Sequence, residues 1–438
     1  MSKPLFVISC PIDTFSGYGS RSRDVVKAII NTGKYDVKVL PQRWGATPWG
    51  YIEQHPEWEF LNKHILNEPK LDRQPEIWMQ ITIPNEFQPV GKYNIGMTAG
   101  IETTICHPTW IEGINRMNLT LASSEHSKKV FEDTQAEEKD SKTGQTIRTI
   151  KLEKPVEVLF EGADLNTYFE TSKFENQDLY NDILGGVKED FAYLFVGHWI
   201  KGDFGEDRKN VSFLIKSFLE TFKNKTNAPA LILKTSMAGG SRMDRLEILK
   251  RIDKIKQSVR ANRLPNVYVL LGDMHDLDIN ELYNHPKVRA MVSLTKGEGF
   301  GRPLLEFTLS GKPIITTNWS GHLDFLHPEY NVLLGGEVKP VHDSALVENI
   351  IIQGSSWFSP NPGEVGHYLK DVFENYKRYK EKGKRQRHYS KTNFSFEKMQ
   401  ELLESILDKN IPEFPKEVKL QLPTLKKIEL PKLQKVNG

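Results

Sequence analysis

The chain has 438 residues, enough for two or three domains, with 38% hydrophobic and 26% charged residues, so it is neither disordered nor fibrous. Its formal net charge of +2 argues against a strongly electrostatic partner while leaving room for a local basic patch, and two cysteines, Cys10 and Cys106, exclude a disulfide framework. No apolar run approaches the ~20 residues needed to span a bilayer. The opening Met-Ser-Lys-Pro-Leu-Phe-Val-Ile-Ser-Cys-Pro is too short in apolar length for a signal peptide, so a cytoplasmic protein is expected.

Residues 4–10 are predicted to form the first strand. Ser16-Gly17-Tyr18-Gly19 makes a glycine-bearing loop, and a helix carrying Val25, Val26, Ala28, Ile29 and Ile30 runs to Gly33. A second strand covers 35–40. This opening suits a doubly wound α/β sheet. A lone Gly-x-Gly serves a structural turn as well as a ligand. Arg21 and Arg23 at the helix start are expected on a solvated face, and Trp44, Trp49 and Trp58 are expected to pack in a core. A strand at 94–98 ends in polar residues, followed by Glu102, His107 and His126 as candidates for acceptor-side chemistry. Residues 156–164 include a strand ending at Gly162, and 165–188 are polar and suited to a linker.

The second half begins with a strand at 191–196, then Gly197 and His198. A polar loop leads to Arg208, Lys209 and Asn210, and Asn210 is read as the N-cap of a helix over 211–222. Lys209 therefore stands at a helix start, where a cation suits a diphosphate. Lys234 closes a strand at 230–234 and adds positive charge near the same place. A helix over 243–259 is followed by a strand at 267–271. Asp276-Leu277-Asp278 reads as a helix start rather than a metal motif.

Residues 288–311 are the most informative. Val288 to Leu294 reads as a buried strand, Thr-Lys-Gly-Glu-Gly-Phe-Gly as a glycine-rich loop, and Arg302 to Ser310 as a helix with Pro303 near its first position and Gly311 closing it. Gly297, Gly299 and Gly301 allow close backbone approach. Glu306 lies about 5 Å along the helix axis, so Glu298 and Glu306 are positioned to address one ligand. Beyond it, 366–390 reads as a basic, tyrosine-bearing helix and turn, and Ser395 precedes a helix reaching about Asp408.

Lys-Gly-Glu-Gly-Phe-Gly-Arg-Pro-Leu-Leu-Glu resembles the Glu-x7-Glu signature of retaining, family 4-like glycosyltransferases. The resemblance implies a GT-B fold, two Rossmann-like doubly wound domains facing across a cleft. It spans roughly residues 4–410 and is most specific at 196–218 and 290–325. It implies an acceptor-side domain over 1–164, a linker over 165–188, a nucleotide-sugar-binding domain over 189–390 and a helix over 391–410 crossing back to the first domain; beyond it, Pro with alternating Leu and Lys makes 411–438 an extended Lys/Leu/Pro tail. It gives Glu298 the transferred sugar and Glu306 the donor ribose. Gly299, Phe300, Gly301, Pro303 and Leu304 then line the donor, as does Arg302, which stands where leucine is more usual.

By the same resemblance, Lys209 and Arg208 face the diphosphate, Met274 and His275 border the base, and Gly17, Gly19 and Lys234 line the cleft. His198 replaces a more usual arginine, and Glu102 stands near the position of a cleft histidine common among relatives. The donor implied is a nucleotide sugar, a UDP-sugar foremost, with no separate cofactor and no metal. Softer similarity to glycosyltransferases of tailed bacteriophages implies DNA with hydroxymethylated bases as one acceptor class, beside glycans and small molecules, and a host cytoplasm as location. Alternatives are a GT-B epimerase or phosphorylase, or a non-catalytic nucleotide-sugar-binding module. A dehydrogenase is disfavoured because no Gly-x-Gly-x-x-Gly follows a strand.

Overall fold

A computed structural model describes residues 3–237 and 241–415. The remainder of the predicted tail, from 416 onward, lies outside the described residues. The first sheet is wholly parallel, with strands β1 (Leu5–Cys10), β2 (Asp36–Pro41), β3 (Ile77–Ile81), β4 (Tyr93–Thr98), β5 (Leu119–Ala122) and β8 (Val156–Val158) in the order β2-β1-β3-β4-β5-β8. A two-stranded hairpin of β6 (Ala136–Lys139) and β7 (Thr146–Ile150) stands between β5 and β8 in the chain. Helices α1 (Gly17–Asn31), α2 (Tyr51–Gln54), α3 (Pro108–Arg116) and α4 (Glu125–Asp133) complete this domain.

The second sheet, also parallel, contains β9 (Ala192–His198), β10 (Ala230–Ser236), β11 (Val267–Leu270), β12 (Val288–Ser293), β13 (Ile314–Thr317) and β14 (Val332–Leu334). Its order is β11-β10-β9-β12-β13-β14. Strands covered on both faces are rich in apolar residues, as in β1, whose six residues are all buried, and in β12, where Val288, Ala290, Met291 and Val292 are buried and Arg289 is partly exposed. Helices α5 (Val211–Phe222), α6 (Arg242–Ser258), α7 (Asp276–Asn284) and α8 (Arg302–Thr308) cross over between these strands. An antiparallel pair, β15 (Gly336–Pro340) and β16 (Ser356–Pro360), lies beside them. The fold is GT-B, as the resemblance implied.

The basic stretch read as one helix and a turn is two helices, α9 (Pro362–Glu374) and α10 (Tyr376–Asn393), broken at Asn375. The last helix, α11 (Phe396–Asn410), is capped by Ser395, whose side chain accepts from the Lys398 amide. Phe396, Met399, Leu403, Ile406 and Leu407 join the apolar core of the first sheet, together with Val25, Val26 and Ile29 of α1. The last helix thus belongs by packing to the first domain. Residues 165–188 carry a six-residue π-helical turn, Asp178–Ile183, and are tied to α7 through Asn280, Glu281 and Asn284. Asp278 accepts from Asn176 at 2.9 Å, so it is engaged in this packing.

Several expectations fail. Arg21 and Arg23 are 3% and 2% exposed. Arg21 donates to the Leu159 and Phe160 carbonyls, and Arg23 donates to those of Ile12 and Thr14 while lying 3.4 Å over the Tyr51 ring. A guanidinium can be buried when backbone oxygens replace its water. The tryptophans are not core: Trp49 is exposed, Trp58 is half-buried at the core's edge, and Trp44 stacks on Tyr18 at 3.9 Å. Asn210 does not cap α5. It adopts a left-handed conformation (φ 56°), and Asp207 accepts from the Val211 amide in its place.

Candidate active site

The second sheet reverses direction of growth between β9 and β12, and the loops leaving their carboxyl ends diverge there. A crevice at such a switch point is where α/β sheets bind ligands. The loop after β9 delivers Arg208 and Lys209; the loop after β12 delivers Glu298. Lys209 Nζ lies 2.5 Å from Glu298 Oε1, and Arg208 Nη1 lies 3.3 Å from Oε2. Arg208 also reaches Glu102 of the opposite domain at 3.4 Å. Glu298 is 6% exposed. Burial alone would raise its pKa, but the two cations win and pull it down to about 2. Lys209 is shifted down, because burial outweighs its share of one carboxylate.

The loop is locked from behind. The Glu298 amide donates to Ser320 Oγ at 2.9 Å, and the Glu298 carbonyl accepts from the Gly321 amide at 3.0 Å. Gly301 takes a left-handed conformation (φ 98°) to turn the chain into α8. A β-carbon on Gly297 would stand 2.0 Å from the Glu102 carbonyl oxygen, and one on Gly299 would stand 2.0 Å from that of Ala99. These glycines therefore let the loop touch the opposite domain's backbone. Phe300 and Leu304 turn their side chains into the core behind the loop, leaving only backbone toward the crevice.

Glu306 lies one turn along α8. Arg302 Nε donates to its Oε1 at 2.8 Å, and the Tyr283 hydroxyl donates to its Oε2 at 3.4 Å. Burial dominates here, with Arg302 opposing, and the carboxyl rises to about 7. The two carboxylates of the loop and helix thus differ by environment: one is fixed as an anion and the other titrates near neutrality.

Other predicted residues fall around this pair. His198 Nδ1 pairs with Ser236 Oγ at 2.9 Å on the exposed rim of the site, and its pKa is shifted down by partial desolvation and by the nearby Lys209, Arg208 and Lys234 cations. Lys234 is turned to the Gly272 carbonyl at 2.5 Å, in front of Met274 and His275. His275 precedes α7, and its ring centroid is 4.6 Å from that of His55 on the opposite domain. Gly17 begins α1 with open space beside it. Gly19 is packed on Thr14, whose carbonyl oxygen would be 2.3 Å from an added β-carbon, and Pro303 stands in the first turn of α8.

Of the acceptor-side candidates, Glu102 reaches the centre. His107 instead caps α3, accepting from the Thr109 amide. His126 opens α4, its ring 4.7 Å from Trp319, and its pKa is lowered to about 4 by burial and by His322. Sequence reasoning passed over His322. It is fully buried beside Gly301, and its Nε2 donates to the Thr317 carbonyl at 2.7 Å, which leaves Nδ1 without a partner. Its only signal was the Ser-Gly-His turn after β13. Ser123 was also missed; its hydroxyl faces the Ala99 carbonyl of its own domain and the Gly299 carbonyl across the domain boundary. Among the described residues no cluster of three or more His, Cys, Asp or Glu side chains has a metal-holding arrangement.

Comparison with known proteins bears on the fold and on the second domain. Residues 193–351 match the model of the family described as Glycosyl transferases group 1. That segment lies in the second domain of the GT-B fold and includes Lys209, Glu298 and Glu306. The fold is similar to the crystal structure of HepE from Anabaena in complex with UDP and glucose, at 14% identity over 93% of this chain and 100% of that chain, with a TM-score of 0.58. It is also similar to a glycosyltransferase from Rickettsia africae (11% identity, 94% and 99% covered, TM-score 0.62). Sucrose-phosphate synthase from Thermosynechococcus elongatus is a third (11% identity, 93% and 98% covered, TM-score 0.58). No curated protein matches the chain by sequence. No helix among the described residues is long and apolar enough to cross a membrane.

Proposed function

We propose that the protein is a retaining glycosyltransferase that moves a sugar from a UDP-sugar to an acceptor hydroxyl. The observation that carries this reading is the buried ion cluster of Glu298 with Lys209 and Arg208, placed at the sheet's switch point by a glycine loop. In the reaction the bond from the anomeric carbon to the diphosphate oxygen breaks. The acceptor oxygen bonds to that carbon from the same face, and its proton passes to the departing phosphate. Negative charge grows on the diphosphate, and Lys209 and Arg208 are preorganised to meet it in a site sheltered from water. Glu298, held ionised, orients the sugar through its hydroxyls. Glu306 takes the ribose, and the Met274–His275 loop borders the base. No protein nucleophile is needed on this route.

The UDP preference is supported by the complexes formed by Anabaena HepE, which shares the fold and holds UDP, glucose and UDP-glucose. The experiment is a nucleotide-sugar panel read by mass spectrometry. Its acceptor arms are glycans, small alcohols and DNA carrying hydroxymethylated bases, the acceptor class that phage-type similarity implies. Transfer with an α-linked product from an α-linked donor supports the reading. An inverted product, or no turnover of any nucleotide sugar, overturns it.

A further inference from the structure

Arg302 occupies the first position of α8, yet its side chain leaves its own domain. Nη1 donates to Asp24 Oδ2 at 2.5 Å and lies 3.9 Å from Glu161 Oε2, while Nε holds Glu306 Oε1 at 2.8 Å. Asp24 is on α1, and Glu161 follows β8, so both belong to the opposite domain. The side chains are nearly enclosed: Asp24 is 7% exposed, Glu161 9%, Glu306 8% and Arg302 17%.

The neighbouring guanidiniums are committed elsewhere. Arg21 is spent on the Leu159 and Phe160 carbonyls and Arg23 on those of Ile12 and Thr14. Arg302 is therefore the group that spans from Glu306 to the first domain's carboxylates. Its planar fork can serve two carboxylates at once only in a fixed orientation. Gly301 and Pro303 on either side fix where that fork starts. A hinge motion that moved α1 away would remove the Asp24 contact and free the guanidinium to rotate, taking the orientation of Glu306 with it.

We propose that Arg302 is a positioning residue for the donor: anchored on Asp24 across the cleft, it sets the Glu306 carboxylate toward the ribose, so the nucleoside is gripped only in the closed arrangement. The inference rests on the proposed role of Glu306. A leucine at this position, more usual in similar sequences, could not make the connection.

The test uses the full chain, UDP in binding assays and the best donor of the panel in kinetics. Asp24→Asn keeps shape and removes the charge, and it should raise the UDP Kd and the donor KM about 10-fold with kcat changed by less than about 3-fold. Asp24→Glu, which keeps the charge but lengthens the side chain, should leave KM near the parent's, and across the two variants KM and Tm should not move together. Arg302→Leu should raise KM similarly, and adding Asp24→Asn to it should have no further effect. An unchanged KM in Asp24→Asn, a KM rise that tracks Tm, or additive effects in the double variant would each overturn the inference alone. A parent protein that binds no UDP and turns over no UDP-sugar overturns the functional reading and this inference with it.

Discussion

Lys209 Nζ and Glu298 Oε1 stand 2.5 Å apart although one residue precedes α5 and the other follows β12. Their contact brings together the two loops that diverge at the sheet's switch point. It also sets a competition, since a diphosphate must draw Lys209 partly away from Glu298.

That competition makes the two residues separable by experiment. Lys209→Ala and Glu298→Ala should each lower kcat for transfer by about 10²–10³-fold, the scale of losing one preorganised group at a developing charge. Circular dichroism should show both folded. Full activity in either variant would remove the cluster from the chemistry.

Glu306 predicts a pH dependence. Its carboxyl, raised to about 7, ionises across neutrality, and the anion can accept from both ribose hydroxyls. UDP binding should weaken as pH falls from 8 to 6, and Glu306→Gln should flatten that trend. Because the folded-state pKa lies above the unfolded value of about 4.3, this group's contribution to stability is present at low pH and lost as pH rises through 7. The Tm of Glu306→Gln relative to the parent should therefore climb between pH 4.5 and pH 8. Differential scanning calorimetry across that range checks the sign.

Gly297 and Gly299 predict a mechanical effect. An alanine β-carbon at either position would sit 2.0 Å from a carbonyl oxygen of the opposite domain, a separation that packing does not tolerate. Each Gly→Ala variant should hold the domains apart, raising the radius of gyration in small-angle scattering and suppressing transfer. An unchanged scattering profile with full activity would show that the loop does not meet the first domain in solution.

The last helix predicts where stability resides. Met399 and Leu403 are 0% and 1% exposed in the core of the first sheet. Truncating either to alanine should cost about 2–5 kcal/mol. Hydrogen exchange should show the loss in β1–β4 and α1, and not in β9–β14.

Much of this architecture was legible because its signals are local. β12 is mostly apolar, the glycine loop declares itself by spacing, and Val211–Phe222 is helical at the limits predicted. What failed depended on distant partners. Arg21 and Arg23 look like a solvated helix face until the Leu159 and Ile12 carbonyls are brought against them. Asn210 looks like a cap until Asp207, three residues earlier, accepts from the Val211 amide and the Ser212 hydroxyl at the start of α5. The Arg302–Asp24 contact joins residues on different domains, so no local pattern announces it. The Gly turn carrying His322 could be placed near the donor from sequence, but the bond from the Glu298 amide to Ser320, which ties that turn to the loop, could not.

The packing of α11 on the first domain also bears on how the chain is made. Every strand of the first sheet leaves the ribosome before the second domain, while Phe396, Met399, Leu403, Ile406 and Leu407, which complete its core, emerge after that domain. Domains of a nascent chain otherwise fold in the order they appear. Here the first domain begun is the last one finished, and it waits with an apolar face uncovered until the whole second domain has been translated.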